Sequence, residues 1–411
     1  MSDPTPQQIE SAIRTLQWLA EHPGDVEDPI GRAVARAYKK ARRHRRAVAA
    51  RDRAVVPPST DRRCYVCQTA YPPHDGAYPA LCPGCAADQM GRRNRRTDLR
   101  GRTAVVTGAR IKIGFETALK FLRDGAAVVA TTRFPVDAAS RFAAQPDFAH
   151  WAHRLTVYAL DLRDLRAVER FAAHLARAFE GIDILVNNAA QTIRRPPEFY
   201  RALFDREAAI RPMLPASAAA MVKPDSASRG DLFAIERTDG DRAGLAADGG
   251  TPSSWHLPLE RVETAELAEV MLVNTMAPFA LCSLLEPLLR RSKFPDRYVV
   301  NVTSVEGQFD RGSKPPAHPH TNMAKAALNM LTRTVADRCA ESGIYVNSVD
   351  PGWVTHMSSI DPRSPVEDAS DFVPPLDAVD AAARIYDPIL LGRSGRPVYG
   401  QLLKDYHSVE W

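Results

Sequence analysis

The sequence predicts an α/β fold, a doubly wound parallel sheet with helices on both faces, from three observations. Short apolar runs alternate with segments of helical spacing from Arg102 onward. Most of the turns between them are short. The first run leads directly into a glycine-bearing turn and a helix, an arrangement typical of the carboxyl edge of such sheets. A smaller helical and cysteine-bearing region precedes this domain. A chain of 411 residues has room for both, and 45% hydrophobic with 25% charged residues suits a buried core.

Thr103–Thr107 is apolar on both faces and β-prone, as a strand covered on two sides must be. Gly114–Arg123 reads as a helix, Ala126–Thr132 and Leu155–Leu160 as strands, Leu165–Phe179 as a helix and Ile182–Val186 as a fourth strand. The rhythm stops over residues 191–262, rich in Ala, Ser, Gly, Asp and Pro. This insertion is expected to be either a lid or partner-binding segment or an irregular surface loop. The pattern resumes with a helix from about Glu263, a strand at Tyr298–Val302, a helix at Asn322–Ala340 and a strand at Tyr345–Val349. Residues 357–411 are expected to form a C-terminal cap, with a helix at Ala378–Ile389 and a strand or turn at Gly400–Tyr406.

Ahead of the sheet domain, residues 1–56 read as a basic helical region. Ile9, Ile13, Leu16 and Leu19 recur at helical spacing, and a second helix from Pro29 to Val55 carries the run Lys39 to Arg46. Residues 1–100 hold 18 Lys/Arg against 11 Asp/Glu, so most of the net charge of +5 is concentrated there. A solvated helix face or a protein-docking module is the plainer reading, and a nucleic-acid or other polyanionic partner the sharper one. Residues 57–99 contain Cys64-x-x-Cys67 and Cys82-x-x-Cys85, 14 residues apart. Two thiolates from each pair can occupy the four corners of a tetrahedron around Zn²⁺, which marks a structural zinc site with no open coordination position. A redox pair is the weaker reading.

Six cysteines, four of them in these pairs, argue against a disulfide scaffold and for a reducing cytoplasm. No apolar run approaches the ~20 residues of a membrane span, and the polar start at Met1–Pro4 is unlike a signal peptide. The expectation is a cytoplasmic protein with no membrane partner.

The turn after the first strand, Thr107-Gly108-Ala109-Arg110-Ile111-Lys112-Ile113-Gly114, resembles the T-G-x-x-x-G-x-G cofactor loop of the short-chain dehydrogenase/reductase family, a Rossmann fold. Lys112 stands where that pattern has its middle glycine. Further motifs follow in the family's order across about residues 101–356. Asp161-Leu162 resembles the adenine-contacting pair, and Asn187-Asn188-Ala189-Ala190 resembles N-N-A-G. Asn274 matches the helix Asn that organises a proton-relay water, Ser304 the substrate-orienting Ser, and Pro351-Gly352-Trp353-Val354-Thr355 the segment closing over the nicotinamide. The resemblance implies a dinucleotide held by Thr107, Gly108, Arg110, Lys112, Ile113, Gly114, Arg133, Asp161, Leu162, Asn188, Ala189, Lys325, Pro351, Gly352, Val354 and Thr355. Arg133, in place of an acidic residue at the end of the second strand, favours NADP, with NAD the alternative. The resemblance also implies a small-molecule substrate and a homo-oligomer.

The family's Tyr-x-x-x-Lys pair is broken. Lys325 is present, but Thr321 occupies the Tyr position, and a Thr hydroxyl is a far weaker acid than a phenol. Three accounts stay open. His320, with His318 nearby, could donate the proton, the plainer reading of His320 being an ordinary histidine in a loop or at a helix start. The reaction could need no strong acid, as for an activated alkene. The chain could bind cofactor without turnover, as a regulator or adaptor. Tyr406 is a remote candidate for the missing phenol. The candidate catalytic set is therefore Ser304, Lys325, Asn274, Thr321 and His320.

Overall fold

The computed structural model describes Gln8, Ser11 and residues 62–192, 197–223, 257–310, 314–354 and 374–411. The helices read over residues 1–56, apart from Gln8 and Ser11, lie outside this set, as do Arg194, Arg195, residues 224–256 of the insertion and Thr355. Contacts divide the chain into two compact units, Met1–Arg63 with Thr69–His74, and Cys64–Gln68 with Asp75–Trp411. In the first unit an antiparallel bridge joins Arg63 to Ala70, and Tyr71 N–H donates to the Arg62 carbonyl at 3.0 Å.

The second unit runs α1 (Pro83–Arg93), β1 (Thr103–Thr107), α2 (Lys112–Arg123), β2 (Ala127–Thr132), α3 (Pro135–Ala143), α4 (Phe148–Trp151), β3 (Leu155–Ala159), α5 (Leu165–Ala178) and β4 (Ile184–Asn187). Then come α6 (Pro197–Ile210), α7 (Ala216–Met221), β5 (Val222–Lys223), α8 (Thr264–Met271), α9 (Ala277–Arg290), β6 (Arg297–Val302), α10 (Pro319–Ala340), β7 (Ile344–Asp350), α11 (Ala378–Arg393), β8 (Leu402–Lys404) and β9 (His407–Val409). The strands form one sheet in the order β5-β3-β2-β1-β4-β6-β7-β8-β9, parallel throughout except for the last pair.

Alternation along β1 explains the two-sided burial. Ala104 and Val106 face a core shared with Phe121 and Leu122 of α2 and Ile385 and Ile389 of α11. Val105 faces the opposite core, with Leu175 of α5 and Leu281, Leu285 and Leu288 of α9. Asp164 caps α5 by accepting from Ala167 N–H at 3.0 Å, and Asp377 with Asp380 form a capping box on α11.

The insertion is not loop throughout. Its first part builds α6 and α7 and adds β5 to the sheet, Val157 pairing with Val222. The Gly400–Tyr406 stretch is a hairpin, with Asp405 (φ +47°) and Tyr406 (φ +70°) taking the two left-handed positions of its turn. The segment Thr264–Arg290 is long and apolar enough to cross a membrane, which the composition did not lead one to expect. Its Val270, Val273, Ala277, Leu281, Leu285 and Leu288 are buried side chains of the protein.

Candidate dinucleotide groove and cysteine site

Strand order reverses at β1, which lies between β2 and β4, and α/β sheets bind ligands outside the strand ends at such a point. A groove of about 490 Å³ opens there. Glycine is required at two places on its wall. A Cβ on Gly108 (φ +68°) would lie 2.8 Å from Ala189 Cα. One on Gly114 would lie 2.4 Å from both Asn188 Nδ2 and the Gly108 carbonyl oxygen. Lys112 keeps φ +55°, the left-handed conformation of the glycine it replaces, and begins α2. Lys112, Ile113 and Gly114 all line the groove, so the unpaired N–H groups of the first helical turn lie beside it. Thr107 stands behind the wall. Its Oγ1 accepts from the N–H groups of Asn188 and Ala189 at 3.0 Å, which ties the β4 turn to the β1 turn.

At one end, Arg133 lies with its guanidinium 4.5 Å from the ring centre of Tyr200. Tyr200 comes from α6, inside the insertion, and no sequence signal pointed to it. Asp161 and Leu162 also line this end, and both Asp161 oxygens accept from Arg163, at 2.7 Å from Nη2 to Oδ2. Burial works to raise Asp161, but Arg163, then Arg133, outweigh it and hold the carboxyl below its ordinary range. Arg110 lines the groove with its charge already balanced by Asp137 at 2.9 Å. No carboxylate stands at 133, and the groove's wall holds Asn188 and Ala189 beside the glycines and Val354 beyond them.

The predicted catalytic residues, Ser304, Lys325, Asn274, Thr321 and His320, do not line this groove; Ser304 and Lys325 stand at the end of β6 and in α10, outside its wall. Lys325 is buried and its ammonium donates to the Val302 carbonyl at 2.8 Å. Burial lowers its pKa to about 8 against the opposing pull of Glu306 and Asp350. Ser304 follows β6 in extended backbone and is half-buried. Asn274 sits in a π-helical turn, Leu272–Met276, between α8 and α9. Its amide is fully committed to Gln191, accepting from that N–H at 2.7 Å and donating to that carbonyl at 2.8 Å. Thr321 Oγ1 and both ring nitrogens of His320 are buried without a hydrogen-bond partner among the described residues. His320 Nε2 lies 3.8 Å from Glu266 Oε1, and burial lowers the imidazole despite that carboxylate. Pro351 and Gly352 (φ +82°) precede Val354, which lines the groove. Asp350 accepts from Gly352 N–H at 2.9 Å through Oδ1, while Oδ2 has no partner, and burial pushes its pKa up to about 6. Tyr406 accepts from Gln89 Nε2 at 3.2 Å, with Arg92 and Arg384 over its ring.

The four predicted metal ligands converge. The Sγ atoms of Cys64, Cys67, Cys82 and Cys85 lie within 4.8 Å of one another, with Cys67 and Cys82 at 3.7 Å. A tetrahedral zinc with bonds of ~2.3 Å separates its sulfurs by ~3.8 Å, so the cluster fits Zn²⁺. Burial, then hydrogen bonds from the other three cysteines, push the Cys85 thiol up, as expected of sulfurs gathered without a cation. The adjoining arginines are engaged within the unit. Arg92 pairs with Asp88 at 2.8 Å, Arg93 with Asp377 and Asp380 at 2.7 Å, and Arg96 with Asp124. These residues hold the fold together rather than forming an open basic patch.

A parallel sheet with a glycine turn at its switch point and a groove beside a helix N-terminus defines a dinucleotide-binding α/β protein. Residues 102–212 match the family model for short chain dehydrogenases, and residues 242–379 the model described as enoyl-(acyl carrier protein) reductase. An uncharacterized protein, R665, of Acanthamoeba polyphaga mimivirus is 30% identical over 343 residues, covering 80% of this chain and 71% of that one. Human retinol dehydrogenase 13 is 36% identical over 91 residues, 22% of this chain and 27% of that one. A short-chain dehydrogenase structure from Shigella flexneri shares the fold at TM-score 0.50 and 19% identity, over 77% of this chain and 95% of that one. The chain belongs to the short-chain dehydrogenase/reductase family of NAD(P)-dependent oxidoreductases.

Proposed function

We propose that the protein is an NADP-preferring oxidoreductase acting on a carbonyl/alcohol pair or a polarised alkene, with a structural zinc at its four cysteines. The observation that carries the cofactor reading is Arg133, a cation braced on Tyr200 at the groove end where an NAD-preferring site would place a carboxylate. The glycine cradle at Gly108 and Gly114 and the first turn of α2 fit a diphosphate, and Lys112 adds a charge there. The cofactor, when bound, supplies the hydride. The chain's own residues do the rest: Asn188 and Ala189 hold the β4 turn against the cradle, Lys325 carries positive charge against the Val302 carbonyl at the end of β6, and the Gln191–Asn274 pair fixes the π-turn.

Thr321 cannot release a proton near neutral pH, which favours a polarised alkene or an activated carbonyl over a plain ketone. The second reading, a cofactor-binding regulator without turnover, rests on Thr321 standing where the family has its Tyr. Calorimetric titration with NADPH and NADH tests the first reading. NADPH is expected to bind at least tenfold tighter, and equal affinities would remove the role given to Arg133. Thr321→Tyr separates the two readings. Carbonyl reduction appearing in the variant and absent from the parent supports the regulator, whereas parental turnover of an activated alkene supports the enzyme.

Exposed Met276 in the π-turn, Phe279 on α9, and Met323 and Met330 on α10 support self-association through this face. Clustered thiols that suit a metal support a reducing, cytoplasmic setting. With Arg92, Arg93 and Arg96 paired, the protein or nucleic-acid partner proposed for the N-terminus would depend on the basic run at 39–46, outside the described residues.

A further inference from the structure

The first cysteine pair encloses a tyrosine that reaches the far wall of the groove. Tyr65 lies between Cys64 and Cys67, and its hydroxyl accepts from Trp353 N–H at 3.0 Å. A Cβ on Gly352 would stand 3.5 Å from the same hydroxyl. The next residue after Trp353 is Val354, which lines the groove. From the cysteines to the groove wall there is thus one hydrogen bond and one residue of backbone.

The cysteine segment is itself fixed on the sheet domain from its other side. Tyr78 donates to Asp380 at 2.7 Å, Gln89 to the same oxygen at 3.1 Å, and Arg93 pairs with Asp380 at 2.7 Å. The turn holding Tyr65 is closed by Tyr65 N–H to the Ala80 carbonyl at 3.0 Å, Gln68 N–H to the Cys64 carbonyl at 2.9 Å and Gln68 Nε2 to the Tyr65 carbonyl at 2.9 Å. A metal bound by Cys64 and Cys67 would clamp both ends of that turn to Cys82 and Cys85, and so fix where the Tyr65 hydroxyl stands.

We infer that the metal at the four cysteines and the dinucleotide in the groove bind with positive coupling, through Tyr65 as a positioning residue for Pro351–Val354. This rests on the dinucleotide reading above. The metal-filled knuckle holds the strap beside the nicotinamide end and leaves the Arg133 end alone. Linkage makes the effect reciprocal: the factor by which zinc tightens the dinucleotide is the factor by which the dinucleotide tightens zinc. One hydrogen bond of ordinary worth sets the factor at about three- to tenfold.

The test uses the full chain, purified with one zinc per molecule, and titrates it with NADPH and with 2′-phospho-ADP-ribose, which lacks the nicotinamide. Tyr65→Phe is expected to keep its zinc, to bind NADPH three- to tenfold more weakly and to bind the fragment as the parent does. NADPH is expected to tighten zinc by the same factor in the parent and not in the variant. Should Tyr65→Phe fail to fold, the parent stripped by a chelator gives the same comparison, with NADPH weakened and the fragment spared. Equal loss of both ligands means general destabilisation and overturns the coupling, as does NADPH binding that ignores zinc and Tyr65. A parent that binds neither ligand overturns the dinucleotide reading, and the coupling with it. A parent that binds both ligands and no zinc overturns the coupling alone.

Discussion

At the Arg133 end of the groove, Arg133 rests on Tyr200, Asp161 on Arg163 and Arg110 on Asp137. Around Lys325, outside the groove lining, Thr303, His320, Thr321 and Asp350 each bury a polar atom with no partner among the described residues. A buried polar group left unsatisfied costs about 1–3 kcal/mol. The Arg133 end is internally paired, while the Lys325 region carries a polar deficit of the kind that Arg102, Trp151 and Arg297 show elsewhere in the fold.

The sharpest way to break the contrast is to destroy the glycine cradle. Gly114→Ala places a Cβ 2.4 Å from a backbone oxygen and an amide nitrogen that cannot both yield. NADPH affinity should fall at least 100-fold by calorimetry while the urea midpoint moves modestly. An unchanged affinity would place the diphosphate elsewhere. Arg133→Ala comes next. Losing a charge-assisted contact of about 1.5–3 kcal/mol should weaken NADPH roughly 10- to 100-fold and spare NADH. Loss of both together would make Arg133 a structural partner of Tyr200 instead.

Asp350→Asn probes the Lys325 region through pH. Burial holds the folded Asp350 near 6 against 3.8 for an ordinary aspartate. The folded state therefore binds its proton more tightly than the unfolded chain does. The group's contribution to stability is most favourable below pH 4, declines between 4 and 6, and above 6 stays as a cost of about 1–3 kcal/mol. The variant should then be more stable than the parent at pH 8 by that amount and match it near pH 4, by urea denaturation. A difference that ignores pH would assign the effect to packing.

Lys112→Gly has the smallest expected effect. Relief of a left-handed side chain, about 1 kcal/mol, and the unfolded-state entropy of glycine, about 0.5–1 kcal/mol, nearly cancel. The melting temperature should stay within about two degrees, while NADPH affinity falls a few-fold if the ammonium meets the diphosphate. An unchanged affinity would leave Lys112 a tolerated substitution.

The sequence by itself determined the sheet, the glycine-bearing turn and the cysteine cluster. Runs such as Thr103–Thr107 must be buried on two faces, glycine spacing fixes a backbone path, and C-x-x-C pairs reach the same ion, so all three follow from local chemistry. It also marked Thr321 as a break in the reaction site. Only the tertiary structure brought Tyr200 out of the insertion onto Arg133, paired Asn274 with Gln191, set Glu266 against His320 and carried Tyr65 to Trp353, a contact across 288 positions. The pairings with Arg133 and Trp353 join residues far apart in sequence, and residue spacing carries no record of them. The same holds for the charges. Arg92, Arg93 and Arg96 are three nearby cations in the sequence, and packing sets them against Asp88, Asp377, Asp380 and Asp124. Net charge is additive along a chain, but which charges remain exposed is decided when the elements meet.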